Sequence, residues 1–185
     1  TNVGNDRSQL HNIATQAKDT LNKDELQVVA DRGYYSGIEI KACEDDGIKT
    51  YLPKSQTSGN QAKGLFGKRD FIYMADDDEY VCPAGERAAF RTRTTDKGKI
   101  MKRYWSKACT TCLLKPQCTT GKERRITRWE HEEILDVVDA RLNQEPGRMT
   151  ARRNTVEHPF GTLKVWMGYT HFKTKTLEHV STEMS

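Results

Sequence analysis

The sequence lacks long hydrophobic runs. Among its 185 residues there is no stretch of about 18 apolar residues, the length that a transmembrane helix needs. The polar opening TNVGNDRSQL has neither the pattern of a signal peptide nor that of a transit peptide, and repeats and low-complexity tracts are absent too. These absences predict a cytoplasmic, globular protein that has no membrane partner.

Negatively charged residues are scarce in one part of the chain. The net charge is only +4, but residues 87–128 contain 13 Lys and Arg against 2 Asp and Glu. This density is typical of a surface that binds a polyanion, and it favours nucleic acid because no amphipathic apolar stripe accompanies it. A basic face that only keeps the protein soluble is the alternative.

Cysteine is infrequent, with five residues, but four of them lie close to this basic region. Cys109 and Cys112 form a C-x₂-C pair, and Cys82 and Cys118 lie on either side of it. In a cytosolic chain, thiols in this arrangement favour a tetrahedral Zn²⁺ site over disulfides. Free buried thiols are the alternative, and Cys43 lies apart from the group.

Hydrophobic periodicity predicts a βαβ unit near the start of the chain. Asp6 or Ser8 is available to cap the first helix, and a capping box of Ser36 and Glu39 opens a second helix that Gly47 ends. The two strands should be parallel, with a right-handed crossover between them. The predicted order is a helix over residues 8–22, a strand over 26–30, a helix from 36 and a strand over 48–52.

Regular patterns weaken after this unit, and Gly, Ser, Thr and charged residues surround short β-like pieces such as DFIYM and EYVC. We interpret this region as an irregular, β-rich insertion into an α/β domain. Helical spacing of apolar residues returns over residues 129–143 and again from residue 149. The predicted parts of the chain are therefore residues 1–53, 54–128 and 129–185.

Asp31 is the first candidate site residue, because it directly follows the strand predicted over 26–30. Ligands of open α/β sheets gather at the carboxyl ends of parallel strands, so an acid here is placed for a site. Gly33 would let the backbone turn sharply away. The alternative is an aspartate that only caps the following turn.

Glu157, in the stretch RRNTVEHPFGTLK, is the second candidate. Helical spacing places Arg153, Glu157 and Lys164 within roughly 60° of one line along a helix. Beside them runs an apolar stripe, which predicts that the three polar residues are half-buried. The stripe consists of Val156, Phe160, Leu163 and Met167.

Two interpretations of Glu157 remain open at this level. Together with a strand-end acid it can hold Mg²⁺ between paired carboxylates, or it forms an ordinary i, i+4 ion pair with Arg153. Pro159 either kinks the helix or lies near its start, in which case Asn154 would be the cap.

The two acids together resemble a known family, the DDE transposases of bacterial insertion sequences. DRGY at residues 31–34 matches the second catalytic acid of that family. Arg153, Glu157 and Lys164 match its Tyr–Arg–Glu–Lys helical signature, in which Thr150 stands at the position of the Tyr. The flanking VEHPFGTLK and the cysteine-bearing insertion are similar to one branch of the family.

The resemblance implies an incomplete RNase H-like fold, whose first strands and first catalytic Asp would lie upstream of Thr1. It implies that Asp31 and Glu157 hold Mg²⁺ or Mn²⁺ for nicking and joining DNA at the ends of the element. The fragment alone would then be inactive, and the full protein would be nucleoid-associated and act as a homodimer. A non-catalytic, zinc-stapled DNA-binding fragment is the alternative. The predicted contacts to DNA are Arg124, Arg125, Arg128, Arg152, Arg153 and Lys164.

Overall fold

A computed structural model describes residues 6–55, 59–166, 171 and 173–184, without the side chains of 160, 163, 164, 177, 181, 183 and 184. The chain divides into two compact units, which are described separately. Unit 1 contains residues 1–53 and 137–185, and unit 2 contains residues 54–136. Both helices and strands are present, so the predicted α/β class is confirmed.

The helices are α1 Leu10–Leu21, α2 Gly37–Asp45, α3 Lys115–Cys118, α4 Glu132–Gln144, α5 Gly147–Arg152, α6 His158–Val165 and α7 Leu177–Met184. The strands are β1 Leu26–Val29, β2 Ile48–Tyr51, β3 Ile72–Met74, β4 Glu79–Val81, β5 Arg87–Asp96, β6 Lys99–Trp105 and β7 Ile126–Trp129. Short 3₁₀ turns lie at Asp6–Ser8, Arg32–Tyr34, Gln61–Lys63, Lys68–Asp70 and Lys107–Thr110. None of the helices in the described residues is long and apolar enough to cross a membrane.

Unit 1 begins with the predicted helix, strand, helix and strand. β1 and β2 pair in parallel, with Leu26 opposite Ile48 and Val29 opposite Tyr51. The bounds differ from the predicted ones by only one or two residues, because the apolar spacing that predicts these elements is also the spacing that buries them. Leu10, Ala14, Ile40 and Ile48 are all buried in this unit.

The predicted N-terminal caps of α1 and α2 are wrong, whereas Gly47 follows the end of α2 with a φ of +71°, which fits its predicted role of ending that helix. Gln9 precedes α1 and makes no capping hydrogen bond with its side chain, so neither Asp6 nor Ser8 is the cap. Ser36 does precede α2, but its hydroxyl does not cap the helix either. The reason lies in tertiary structure, because the Glu39 carboxylate accepts a hydrogen bond from the backbone N–H of His11, at 3.1 Å, in the first turn of α1.

A half-buried carboxylate, Glu44, ties three elements of unit 1 together. It accepts hydrogen bonds from the backbone N–H and the hydroxyl of Thr50 in β2, both at 2.9 Å. From α4, Arg141 donates two more, at 2.8 and 2.9 Å. Burial alone raises the pKa of Glu44, but these hydrogen bonds outweigh burial and hold it below its usual value.

Unit 2 contains a five-stranded antiparallel sheet in the order β3-β4-β5-β6-β7. Its core is a cluster of buried side chains in which the rings of Tyr73, Tyr80 and Tyr104 pack within 6.4 Å of one another. The loose insertion predicted here is therefore a more regular structure than expected. The other buried members of the core are Phe71, Ala88 and Ile126.

Unit 2 extends to residue 136, beyond the residue 128 at which the predicted insertion ends. The first turn of α4 is tied to this unit because the buried Glu132 carboxylate pairs with Lys68, and with Lys54 at 3.5 Å. Glu132 also accepts a hydrogen bond from the backbone N–H of Trp129, at 2.9 Å. A helix that begins in one unit and ends in the other is not visible in hydrophobic periodicity.

We predict that Glu44→Gln lowers the free energy of unfolding by about 1.5–3 kcal/mol, because hydrogen bonds to a charged group contribute that much. The folded pKa of Glu44 is depressed, so its contribution is complete above the unfolded pKa of about 4.3 and is lost as the pH falls through the folded pKa. Urea unfolding at neutral pH and below pH 4 measures both effects. Stability that depends on pH equally in the variant and in the wild type would contradict this role.

Asp45→Asn is the matched control for that substitution. Asp45 lies next to Glu44 in α2, but its side chain is 55% exposed and pairs only with Lys41. An exposed i, i+4 pair contributes about 0.3–0.5 kcal/mol, so this variant should unfold almost as the wild type does.

Candidate functional site

Asp31 lies just beyond β1, at the carboxyl end of the parallel pair. Its Oδ1 accepts a hydrogen bond from the backbone N–H of Gly33, at 2.8 Å, and so caps the 3₁₀ turn Arg32–Tyr34. Its Oδ2 faces away from the turn and accepts a hydrogen bond from Arg152, at 3.1 Å. Asp31 therefore caps the turn with Oδ1 and leaves Oδ2 for a site. The hydrogen bond to Oδ1 fixes the direction in which Oδ2 points.

Gly33 is required for a reason that the sequence did not indicate. A Cβ at this position would lie 2.9 Å from Oδ1 of Asp31, closer than real Cβ contacts allow. Gly33 is not among the residues with a left-handed backbone, so the glycine serves close approach and not an unusual turn. A larger residue here would push the Asp31 carboxylate away from its capping position.

The helix that carries Glu157 is interrupted by a π turn. α5 continues into a π-helical turn, Arg153–Glu157, and then into α6, without a break in the helical backbone. The cause is Pro159, which has no N–H to donate to the carbonyl four residues earlier and whose ring crowds that carbonyl. The predicted kink is therefore a π turn, and the alternative start capped by Asn154 is wrong.

Arg152 joins the two candidate acids. Its Nη1 donates to Oε1 of Glu157 at 2.7 Å, and its Nη2 donates to Oδ2 of Asp31 at 3.1 Å. The arginine side chain is 14% exposed, whereas those of Glu157 and Asp31 are 55% and 47% exposed. The structure thus brings Asp31 and Glu157 to opposite nitrogens of one guanidinium, and α5 packs against β1 to hold it there.

The predicted surroundings of Glu157 need correction. The expected i, i+4 pair of Arg153 with Glu157 is not made, because the π turn shifts the partner to Arg152. Arg153 and Glu157 are exposed instead of half-buried, and Val156 is 41% exposed instead of facing the core. The side chains of Phe160, Leu163 and Lys164, and the whole of Met167, lie outside the described residues.

Tyr34 completes the charged surroundings of Asp31. Burial raises the pKa of its phenol, the carboxylates of Asp6 and Asp31 raise it further, and Arg152 lowers it. The phenol therefore stays protonated and neutral at physiological pH. Sequence analysis did not single out a role for Tyr34 beyond its place in the DRGY motif.

In unit 2, Arg128 does not fit the contact with DNA that was predicted for it. The residue is 7% exposed, its guanidinium donates to Asp136 at 2.7 Å, and its central carbon lies 3.8 Å from the ring centroid of Tyr73. A buried cation needs such partners, because taking an unpaired charge out of water is costly. Arg128 is therefore part of the core, and its position in a basic run did not reveal this.

Arg124 also faces inward. It donates to the backbone carbonyl of Phe66 at 3.1 Å, and its guanidinium lies 5.5 Å from the ring of Phe71. A basic residue that is tied in this way is a poor candidate for a phosphate contact. Its predicted role in binding DNA has no geometric support.

Arg125 remains a surface cation, and the structure adds two neighbours to it. Its side chain is 58% exposed, interacts with Glu123 and lies 5.2 Å from the ring of Trp105. The exposed Arg91, at the bulge of β5, donates to the backbone carbonyl of Trp105 at 3.3 Å. Two exposed arginines therefore flank one half-buried tryptophan, a grouping that charge counting alone does not show.

The four cysteines of the insertion line a single cavity of about 30 Å³ in unit 2. All are reduced, as is the separate Cys43. In the part of the chain that the structure describes, no three His, Cys, Asp or Glu side chains form a ready-made metal shell. The four cysteines that are predicted to bind zinc thus lie around one cavity, and zinc binding itself stays a prediction.

Comparison with known proteins identifies the family of the chain. A family model described as "Transposase DDE domain" matches residues 81–185, more than half of the chain, and the chain belongs to this family. No curated protein and no solved structure gives a match. The resemblance predicted from the sequence is thereby confirmed, and with it a function related to transposition.

Membership of this family also indicates DNA as the partner of the domain. Transposase domains act on DNA, and the family generally uses a divalent metal ion such as Mg²⁺. Glu157 lies within the matched residues and Asp31 lies outside them. The assignment of Asp31 therefore depends on its motif and on its position beside Glu157.

We predict that Arg128→Gln lowers the free energy of unfolding by about 2 kcal/mol or more, because a desolvated cation–π contact and a charged hydrogen bond are both lost. The exposed Arg125→Gln should change it by no more than about 0.5 kcal/mol. Thermal and urea unfolding of the two variants measure the difference. Equal stability of the two variants would contradict the role of Arg128 in the core and would make it an ordinary surface cation.

Proposed function

We propose that the chain is part of the catalytic core of a DDE transposase, which nicks and joins DNA at the ends of an insertion sequence by Mg²⁺-dependent phosphoryl transfer. In this proposal Asp31 and Glu157 are the metal-binding carboxylates. The observation that carries it is that both acids lie within hydrogen-bond distance of one guanidinium. One cation thus already interacts with both carboxylates, and in this proposal a metal ion would take the place of the guanidinium.

The residues present suit Mg²⁺ in type but not yet in number. Both donors are carboxylates, which this ion prefers, and each is about half exposed, so that water can complete an octahedral shell. A third carboxylate does not join them among the residues described. A first acid of the family pattern, the RNase H-like fold and the inactivity of these residues alone remain parts of this proposal.

When bound, two Mg²⁺ ions supply an activated nucleophile and stabilise the attacking and leaving oxygens of a phosphoryl transfer. The chain's own residues prepare this chemistry. The hydrogen bond from the Gly33 N–H to Oδ1 orients the Asp31 carboxylate, so that Oδ2 faces outward. Arg152 holds the two carboxylates together until it is displaced from one or both of them.

Arg153 and Lys164 are the proposed contacts to DNA phosphates beside the acids. Arg153 is exposed, and since Glu157 pairs with Arg152 instead, its guanidinium is not engaged by that acid. A flexible, exposed guanidinium can form a bidentate contact with a phosphate. Lys164 keeps the role that the family pattern gives it, as a prediction.

We predict that Glu157→Gln and Asp31→Asn each reduce Mg²⁺-dependent nicking by about 100-fold or more, because a group that stabilises charge in the transition state is lost. The assay uses the full gene product and DNA carrying the end of its element. Both substitutions keep the size of the side chain and remove only the charge. Asp45→Asn, an exposed acid elsewhere in unit 1, should leave the rate unchanged.

Nicking that continues at the wild-type rate in Glu157→Gln would contradict the catalytic assignment. Binding of the same DNA should persist in all three variants, since the substitutions do not remove cations. This measurement separates a loss of chemistry from a loss of substrate binding.

The second proposed element is a DNA-binding surface on unit 2, formed by Arg91, Trp105 and Arg125. The surface combines two exposed cations with an aromatic ring, and the sheet fixes their spacing. Contacts of this kind position the DNA backbone without reading its sequence. They explain the basic excess of residues 87–128 better than Arg124 and Arg128 do, because those two side chains face inward.

We predict that replacing both Arg91 and Arg125 by Gln reduces the slope of log K against log salt by about 2, because each lost phosphate contact lowers it by about 1. Fluorescence anisotropy with duplex DNA at several salt concentrations measures the slope. Arg87→Gln is the matched control, since Arg87 is 59% exposed in the same sheet but pairs with two carboxylates, those of Asp77 and Glu79, whereas Arg125 pairs with one. A slope that is the same in the double variant and in the control would contradict the proposed surface.

A non-catalytic DNA-binding protein is the second candidate function. The observation that favours it is the Arg152 bridge, in which one cation pairs with both carboxylates. The nicking assay distinguishes the two candidates, because only the catalytic one requires Glu157. A homodimer on paired DNA ends stays a prediction under either candidate.

A further inference from the structure

The four cysteines of unit 2 converge on one small cavity although they come from separate segments of the chain. Cys82 follows β4, Cys109 and Cys112 lie in and just after the 3₁₀ turn Lys107–Thr110, and Cys118 is the last residue of α3. All four line the cavity of about 30 Å³. Up to 35 residues of chain separate them, so their common position is a property of the fold.

Short hydrogen-bonded turns hold two of these cysteines. The carbonyl of Cys82 accepts from the N–H of Gly85 at 2.8 Å, and Gly85 has a φ of +79°, which only a glycine adopts easily. The carbonyl of Cys112 accepts from the N–H of Lys115 at 3.2 Å, which connects the C-x₂-C pair to α3. Tight turns of this kind present side chains in fixed directions, as a structural metal site requires.

A second observation points to a ligand at the same place. Arg124 lines the cavity, and its Nε is buried without a hydrogen-bond partner in the described residues. A buried donor without a partner is costly, so it is rare unless a partner is missing. An anionic sulfur in the cavity would be such a partner.

We propose that Cys82, Cys109, Cys112 and Cys118 bind one structural zinc ion as thiolates, and that Arg124 donates its Nε–H to one of the sulfurs. On binding, the four thiols release four protons, and the Zn²⁺ tetrathiolate carries a net charge of −2. Two cations that line the cavity, Arg124 and Lys115, balance this charge. The site is separate from the proposed catalytic acids, so it holds whether or not the domain is active.

Tetrahedral sulfur ligands suit either Zn²⁺ or an iron–sulfur cluster, and the metal content of the purified protein distinguishes the two. The four thiols line one cavity but do not form a coordination shell among the described residues, and in a zinc site each sulfur would lie about 2.3 Å from the ion.

The measurement is the zinc content and thiol reactivity of the full chain, purified without chelator. We expect an equimolar amount of zinc, and no reaction of the four cysteines with a thiol reagent until a strong chelator is added. Cys43 is fully buried in unit 1 and should stay unreactive in both conditions until the protein is unfolded. This readout needs no substitution and does not depend on the folding of a variant.

Three variants test the ligands directly. Cys112→Ala should lose the bound zinc, whereas Cys43→Ala, the matched control, should retain it. Arg124→Met should lower the affinity for zinc by about 10-fold or more, because losing a hydrogen-bond partner of the metal ligands typically has an effect of that size. Competition with a chromogenic chelator measures the three affinities.

Two outcomes would overturn the proposal. The first is a protein without stoichiometric metal whose four cysteines all react freely, which would make them ordinary buried thiols. The second is a protein without metal whose cysteines react only after treatment with a reductant, which would make them disulfides. Loss of nicking in Glu157→Gln with zinc retained would leave both proposals intact, so their failures are distinguishable.

Discussion

The parallel pair of strands in unit 1 depends on the Glu44 carboxylate. Two strands alone are marginal in water, and they need other elements packed against them. Glu44 supplies that connection, because it bonds to the backbone and side chain of Thr50 in β2 and to Arg141 in α4. With β2 fixed, β1 is fixed by its register, and the N–H of Ala30 bonds to the carbonyl of Tyr51 at 3.0 Å. Asp31 is the next residue, so the position of the first candidate acid follows from this network.

Sequence patterns predicted the elements of unit 1 and both candidate acids, because those features are local. Apolar spacing and strand-end position depend on residues that are neighbours in the chain. The caps were wrong because Glu39 has a partner, the N–H of His11, that lies 28 residues away in sequence. Arg141 likewise finds Glu44 across the fold, and no local pattern indicates such a pairing.

Two strands of unit 2, β3 and β4, lie in the predicted β-like pieces DFIYM and EYVC. The longer β5 and β6 escaped prediction because they carry charge instead of alternating cleanly. β5 and β6 are rich in Arg, Lys and Thr, which hides their strand character. One signal was available, namely the Lys97–Gly98 pair, whose φ angles of +49° and +76° fit the two-residue turn that joins strands into a hairpin. The basic count predicted a polyanion partner, but only the geometry distinguishes Arg125 at the surface from Arg128 in the core.

The π turn decides which arginine meets Glu157. In an α-helix each residue advances by 100°, so residues four apart share a face and residues five apart do not. That spacing would pair Glu157 with Arg153 and direct Arg152 elsewhere. A turn closed by i to i+5 bonds places residues five apart on one face, and the structure accordingly pairs Glu157 with Arg152. The proline two residues after Glu157 therefore acts on the site through the backbone. The resulting π turn lets one guanidinium bridge both acids. It leaves Arg153 outside that bridge, at the surface where we propose that DNA approaches.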